Sequence, residues 1–147
     1  MKSIALPDSL TSIADFAFSN CESLASISFP EGLTSIGPHA FYRTGLESVS
    51  FPDSLTVIDG YAFQGASSLA SVSFPEGLTS IGYFAFKDAT SLASVSFPKS
   101  LTSIGRQAFH NTLLTEADVT LPASLSEEKR HWSFYNCIGY TDLVLPD

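Results

Sequence analysis

The segment Leu10-Thr11-Ser12-Ile13 returns as Leu33-Thr34-Ser35-Ile36, Leu55-Thr56-Val57-Ile58, Leu78-Thr79-Ser80-Ile81 and Leu101-Thr102-Ser103-Ile104. The steps between leading leucines are 23, 22, 23 and 23 residues, and Leu125 follows after 24 to open a sixth, divergent unit. A period of this size means one supersecondary unit laid against copies of itself. One unit cannot bury its own apolar face, whereas stacked units can, so the chain is expected to build a solenoid. The expectation is a single domain over 1–147, with units starting near Leu10, Leu33, Leu55, Leu78, Leu101 and Leu125 and irregular after Phe109.

Two more phrases mark each unit. One is Ala17-Phe18, repeated as Ala40-Phe41, Ala62-Phe63, Ala85-Phe86, Ala108-Phe109 and Ser133-Phe134. The other runs from Leu24 to Pro30 and returns from Leu46 to Pro52, Leu69 to Pro75 and Leu92 to Pro98, with weaker copies ending at Pro122 and Pro146. In this second phrase Ile27 and Phe29 alternate with Ser26 and Ser28, the period of a half-buried strand. The proline has no N–H to give to a ladder and ends the pairing. Glu-Gly or Asp-Ser then makes a turn. Leu-Thr-Ser-Ile predicts a second, shorter extended piece, and the Ala-Phe segment predicts a helical or 3₁₀ turn on the far side. Stacking at about 4.8 Å per strand would align Phe18, Phe41, Phe63, Phe86, Phe109 and Phe134 in one ladder and Phe29, Phe51, Phe74 and Phe97 in another.

The composite pattern L-x-x-I-x-F-P-x-x-L-x-x-I-G-x-x-A-F-x-x-C, carried in order from Leu24 to Phe41, resembles the BspA-like, or Treponema-type, leucine-rich repeat. The resemblance covers essentially the whole chain. It implies a right-handed leucine-rich-repeat solenoid of about six units of 22–24 residues, with one short parallel strand per unit on one face. It also implies a bacterial cell-surface protein, or one from a parasitic protist, used in adhesion to host proteins and other cells. The pattern's cysteine appears here as Cys21 and Cys137, replaced elsewhere by Thr44, Ala66, Ala89 and Thr112. All are small, which suggests a tight interior slot. The stretch from Leu113 to Asp118 is irregular, and Glu127-Glu128-Lys129-Arg130 is a charged insert.

The chain begins and ends at a strand phrase, with no capping unit visible at the start. A fragment cut from a longer array, or an unusually minimal protein, is therefore expected. It lacks a signal peptide, and its open strand edge would favour end-to-end self-association.

Charge and composition exclude other classes. The net charge is −8 and the seven lysines and arginines are scattered apart from Lys129-Arg130. Phosphate binding needs clustered positive charge, so nucleic acid is not an expected partner. No apolar run approaches the roughly 20 residues needed to span a bilayer, so no membrane insertion is expected. The two cysteines lie five units apart, roughly 24 Å at the strand spacing, far beyond disulfide reach. His131 and Cys137 share a unit, but no acid partner or glycine-rich oxyanion loop accompanies them. His39, His110 and His131 fall in different units without ligand spacing. No enzyme activity, metal or cofactor is expected.

The remaining candidates are surfaces. Ser26, Ser28, Ser48, Ser50, Ser71, Ser73, Ser94 and Ser96 point outward from the strands and continue as Asp118, Thr120 and Asp142. They would form a hydroxyl-lined face for a partner to approach closely. The position before Ala-Phe holds Phe16, His39, Tyr61, Phe84, Gln107 and Trp132, a mostly aromatic stripe suited to a protein interface or to sugar rings. A row of acids, Asp8, Glu31, Asp53 and Glu76, follows the strand prolines and gives way to Lys99 and Ala123. The expected function is a non-catalytic binding or adhesion module for a protein, with a glycan as the other ligand class. The alternative is a structural array that spaces other domains of a longer chain.

Overall fold

The computed structural model describes residues 3–115, 119–125, 133–134 and 137. The serine-rich phrases form strands β1 (Ser3–Ala5), β3 (Ser26–Ser28), β5 (Ser48–Ser50), β7 (Ser71–Ser73) and β9 (Ser94–Ser96). The second extended pieces form β2 (Ser12–Ile13), β4 (Ser35–Ile36), β6 (Val57–Ile58), β8 (Ser80–Ile81) and β10 (Ser103–Ile104). Every pairing is parallel and joins equivalent residues one unit apart, as Ser71 with Ser94 or Ile36 with Ile58. This is the parallel-strand solenoid that the repeat demands.

Each coil gives one strand to each of two sheets. The β2-β4-β6-β8-β10 sheet is continuous. The other is cut: β1 pairs with β3, and β5-β7-β9 form a separate ladder. The cut coincides with the single 22-residue step. Thr44-Gly45-Leu46 is one residue shorter than Cys21-Glu22-Ser23-Leu24, and the shortened loop presses Gly45 directly against the Glu22 carbonyl, where a side chain would collide. The central residue of β5, Val49, is only half-buried, while Ile27, Val72 and Val95 in the equivalent strands are buried.

The core lies between the sheets and the turn edge. Phe18, Phe41, Phe63, Phe86, Phe109 and Phe134 stack in one ladder at 5.0–5.3 Å. Phe29, Phe51, Phe74 and Phe97 stack in a second at 5.4–6.0 Å. The two interlock: Phe29 meets Phe41 edge-on, and Phe74 meets Phe86 in the same way. Edge-to-face contact of this kind adds to the area buried. Leu24, Leu46, Leu69 and Leu92, with Leu33, Leu55, Leu78 and Leu101, fill the rest.

The Ala-Phe segment is not helical. Its hydrogen bonds link residues three apart, as Ala17 N–H to Ala14 C=O, Ser19 to Phe16 and Cys21 to Phe18. Two left-handed residues interrupt each of the first five units, however: Phe16 (φ 59°) and Asn20 (φ 61°), His39 and Arg43, Tyr61 and Gly65, Phe84 and Asp88, Gln107 and Asn111. A right-handed helix cannot propagate through such a residue. The reversal turns the N–H groups toward the following unit. Phe16, Phe18 and Asn20 donate to the Pro38, Ala40 and Tyr42 carbonyls, and the same three bonds recur along the stack. The expected helical turn is thereby replaced by a third line of bonding between coils.

Candidate binding surfaces

The eight strand serines from Ser26 to Ser96 are all exposed. Among the described residues none of their hydroxyls is hydrogen-bonded within the chain. The threonines behave differently: the hydroxyls of Thr34, Thr56, Thr79 and Thr102 each donate to the preceding unit's threonine carbonyl. Ser54, Ser100 and Ser124 likewise reach a leucine carbonyl one unit back. The strand face thus carries hydroxyls left to solvent, whereas those beside the second sheet stitch coils together. Thr120 is exposed but lies outside any strand. Asp118 and Asp142 fall outside the described residues.

One cleft of about 300 Å³ interrupts this face. It opens at the cut between β3 and β5, lined by Ile27, Ser28, Phe29, Glu31, Ser50, Phe51 and Pro52. Phe29 and Phe51 are among its walls, and Glu31 and two serines supply polar groups. Length comparison within the repeat, the one 22-residue step, is the only sequence signal that marked this place.

On the turn edge the expected stripe is a stacked ladder. Phe16 lies on His39 at 4.6 Å, His39 on Tyr61 at 4.5 Å, and Tyr61 on Phe84 at 5.1 Å. Phe16 is 58% exposed. Trp132 falls outside the described residues. Sequence reasoning passed over the neighbours of this ladder. Tyr42 meets His39 edge-on, Tyr83 meets both Tyr61 and Phe84 edge-on, and Lys87 Nζ stands 5.1 Å from the Phe84 ring centre. These side chains sit beside the stripe because the left-handed turns fold it over.

The other candidates separate. Cys137 is buried, its thiol donating to the Phe109 carbonyl at 2.9 Å and lying 3.4 Å from the Thr112 hydroxyl. Burial pushes that thiol above its ordinary pKa, against a smaller opposing effect of its hydrogen bonding with Thr112. Thr44, Ala66, Ala89 and Thr112 are buried in the equivalent slot, as expected, but Cys21 is exposed. Both cysteines are free thiols. His131 is outside the described residues, and among those described no group of three His, Cys, Asp or Glu side chains is placed to hold a metal ion. The Asp59 carboxyl is raised above its usual value by burial first and by the Asp15 charge second. No helix among the described residues is long and apolar enough to cross a membrane.

Two parallel sheets of very short strands, closed by a turn edge and wound at one unit per coil, define a β-solenoid repeat protein whose long exposed rows are its usable surface. The chain belongs to the family of the BspA type leucine rich repeat region, whose model matches residues 1–116 and 89–147 with six copies. Proteins of this leucine-rich-repeat class are typically non-enzymatic binding modules. The leucine rich repeat protein of T. pallidum is 33% identical with a TM-score of 0.67, over 73% of this chain and 53% of that one. A leucine rich cell surface protein from Faecalibacterium prausnitzii is 26% identical with a TM-score of 0.53, over 85% of this chain and 42% of its own. A leucine-rich repeat protein from Eubacterium ventriosum shares the fold with a TM-score of 0.72 at 23% identity, over 86% of this chain and 40% of its own. The chain thus spans about half or less of the length of these solved relatives. No curated protein matches it.

Proposed function

We propose that the chain is a non-catalytic binding module that holds a protein partner on its serine face at a bacterial cell surface. The observation that carries this reading is the contrast in hydroxyl use. Threonine hydroxyls beside the second sheet are consumed by bonds between coils, while the eight strand serines are exposed and left without partners among the described residues. Small side chains with available donors and acceptors let another chain come close without steric conflict. A uniform row of serines has no preferred register, and the cleft between Ser28 and Ser50 supplies one. The cell-surface placement rests on the family and on the surface protein of F. prausnitzii.

The test is capture of extracellular host proteins by the purified chain, followed by Ser50→Arg and Ser73→Arg. Both serines are exposed, so the variants should fold as the parent does. Binding should be lost in both. Unchanged affinity in folded variants would remove the serine face from the contact.

A further inference from the structure

We propose that the turn edge carries a second, separate site, centred on Tyr83 and Lys87, for a carboxylate-bearing sugar. It does not depend on the serine face, only on the chain being a binding module.

The first observation is an asymmetry between the two left-handed positions of each turn. Positive φ favours Gly, Asn and Asp, and for bulky residues it is costly. At the second position the chain mostly complies, with Asn20, Gly65, Asp88 and Asn111. At the first it places Phe16, His39, Tyr61 and Phe84, with Gln107 in the last described turn. Bonds to the next coil fix this conformation whatever the side chain, so the backbone alone does not account for rings at four of the five positions.

The second observation is which ring face is open. Within the stack, His39 and Tyr61 have a rung on each face and show only their edges. Tyr83 is different. Its plane stands at 84° to both Tyr61 and Phe84, with centroids 5.2 and 5.9 Å away. Both contacts are of the edge-to-face kind, which holds the Tyr83 ring in place. Its hydroxyl end rests where a Cβ on Gly60 would come within 3.1 Å, so the glycine makes room for it. The residue is 53% exposed, so a good part of it reaches solvent. A flat, immobilised, half-exposed tyrosine is a platform for the apolar face of a pyranose.

Charge then selects the sugar. The molecule is acidic, yet of the four lysines and arginines among the described residues, Arg43, Lys87 and Arg106 lie on this edge. Arg106 occupies Tyr83's position in the next unit, and Lys87 stands against the same Phe84 ring that Tyr83 touches. Of the acids on this edge, Asp88 accepts a hydrogen bond from Asn111 Nδ2 at 3.0 Å, while Asp15 and Asp59 lie toward the earlier units, Asp59 next to Gly60. An aromatic platform with the Lys87 ammonium beside it matches a ring that bears a carboxylate.

The experiment is calorimetric titration of the chain with oligogalacturonate, with 3′-sialyllactose and with neutral lactose, run on the parent, Tyr83→Ala, Tyr83→Phe and Lys87→Ala. Melting curves are recorded for each variant. Saturable binding of a uronic or a sialic acid sugar is expected, and which of the two binds identifies the source. Tyr83→Ala should weaken it about tenfold, Tyr83→Phe should keep it, and Lys87→Ala should erase the preference over lactose. Absence of binding to both acidic sugars overturns the proposal, as does equal affinity for lactose, or full affinity in a folded Tyr83→Ala. Loss of a captured protein partner on Tyr83→Ala, without sugar binding, would also overturn it and make this edge a protein contact.

Discussion

Phe51 meets Phe63 edge-on, their centroids 5.8 Å apart and their planes at 75°, so each coil's strand ring is locked against a turn ring of the coil that follows. Phe63 also stacks on Phe41 and Phe86 and is fully buried. Phe63→Ala therefore removes contacts to three rings in two neighbouring coils and is expected to cost about 3–5 kcal/mol in a denaturant titration. Tyr61→Ala in the outer ladder should cost far less, since its ring is half-exposed. Equal losses at the two positions would mean that the inner ladder is not the main brace.

The two cysteines should react at different rates. Cys21 is exposed, whereas Cys137 is buried and its thiol is pushed above the ordinary pKa chiefly by burial. The thiolate is the reactive form. In native protein at pH 8 one thiol equivalent should react quickly with a disulfide reagent and the second slowly, with Cys21→Ser deleting the fast phase. Two fast phases would contradict the packing around Thr112.

Among the described residues Gly65 is the one glycine with a left-handed φ, +75°, and a Cβ there would stand 2.9 Å from Arg43 Cγ. Gly65→Ala is expected to lower stability by about 1–2 kcal/mol. Gly65→Asn should cost less, because asparagine tolerates this conformation. Thermal melts of the pair give the comparison, and an alanine variant as stable as the parent would show that the turn can be rebuilt.

Asp59 responds to pH with a definite sign. Its folded pKa is raised, by burial and then by Asp15. The charged form is thus penalised in the folded chain, and the penalty grows as pH climbs from the unfolded value of 3.8 through the higher folded one. Asp59→Asn should raise the melting temperature at pH 7, and the gain should shrink toward pH 3. A gain that is constant with pH would assign the effect to packing instead.

Much of this architecture was readable in the residues. Strand positions, the inner phenylalanine ladders and the stripe beginning at Phe16 follow from a period that returns identical side chains to the same place. The left-handed turns were less legible. Asn20 and Gly65 are ordinary signs of positive φ, but Phe16, His39, Tyr61 and Phe84 occupy the same kind of backbone without any local preference for it. Their conformation is imposed by bonds to the next coil, which a helical reading of Ala-Phe does not contain. Tyr83 escaped notice for a related reason. It has no counterpart in the other units, and repetition reveals only what recurs.

The cut between β3 and β5 also has a mechanical meaning. A solenoid tethered at a surface is a beam loaded at its far end. Along one side of this beam the strand ladder runs unbroken from β2 to β10; along the other it is interrupted once, with the Glu47 N–H to Ala25 C=O and Gly45 N–H to Cys21 C=O bonds still crossing between the coils. Bending that spreads the interrupted side meets less resistance there than at the laddered junctions of the same sheet. The intact seam opposite serves as the leaf of a living hinge. Load arriving through a partner seated near Ser50 would be felt first at that joint.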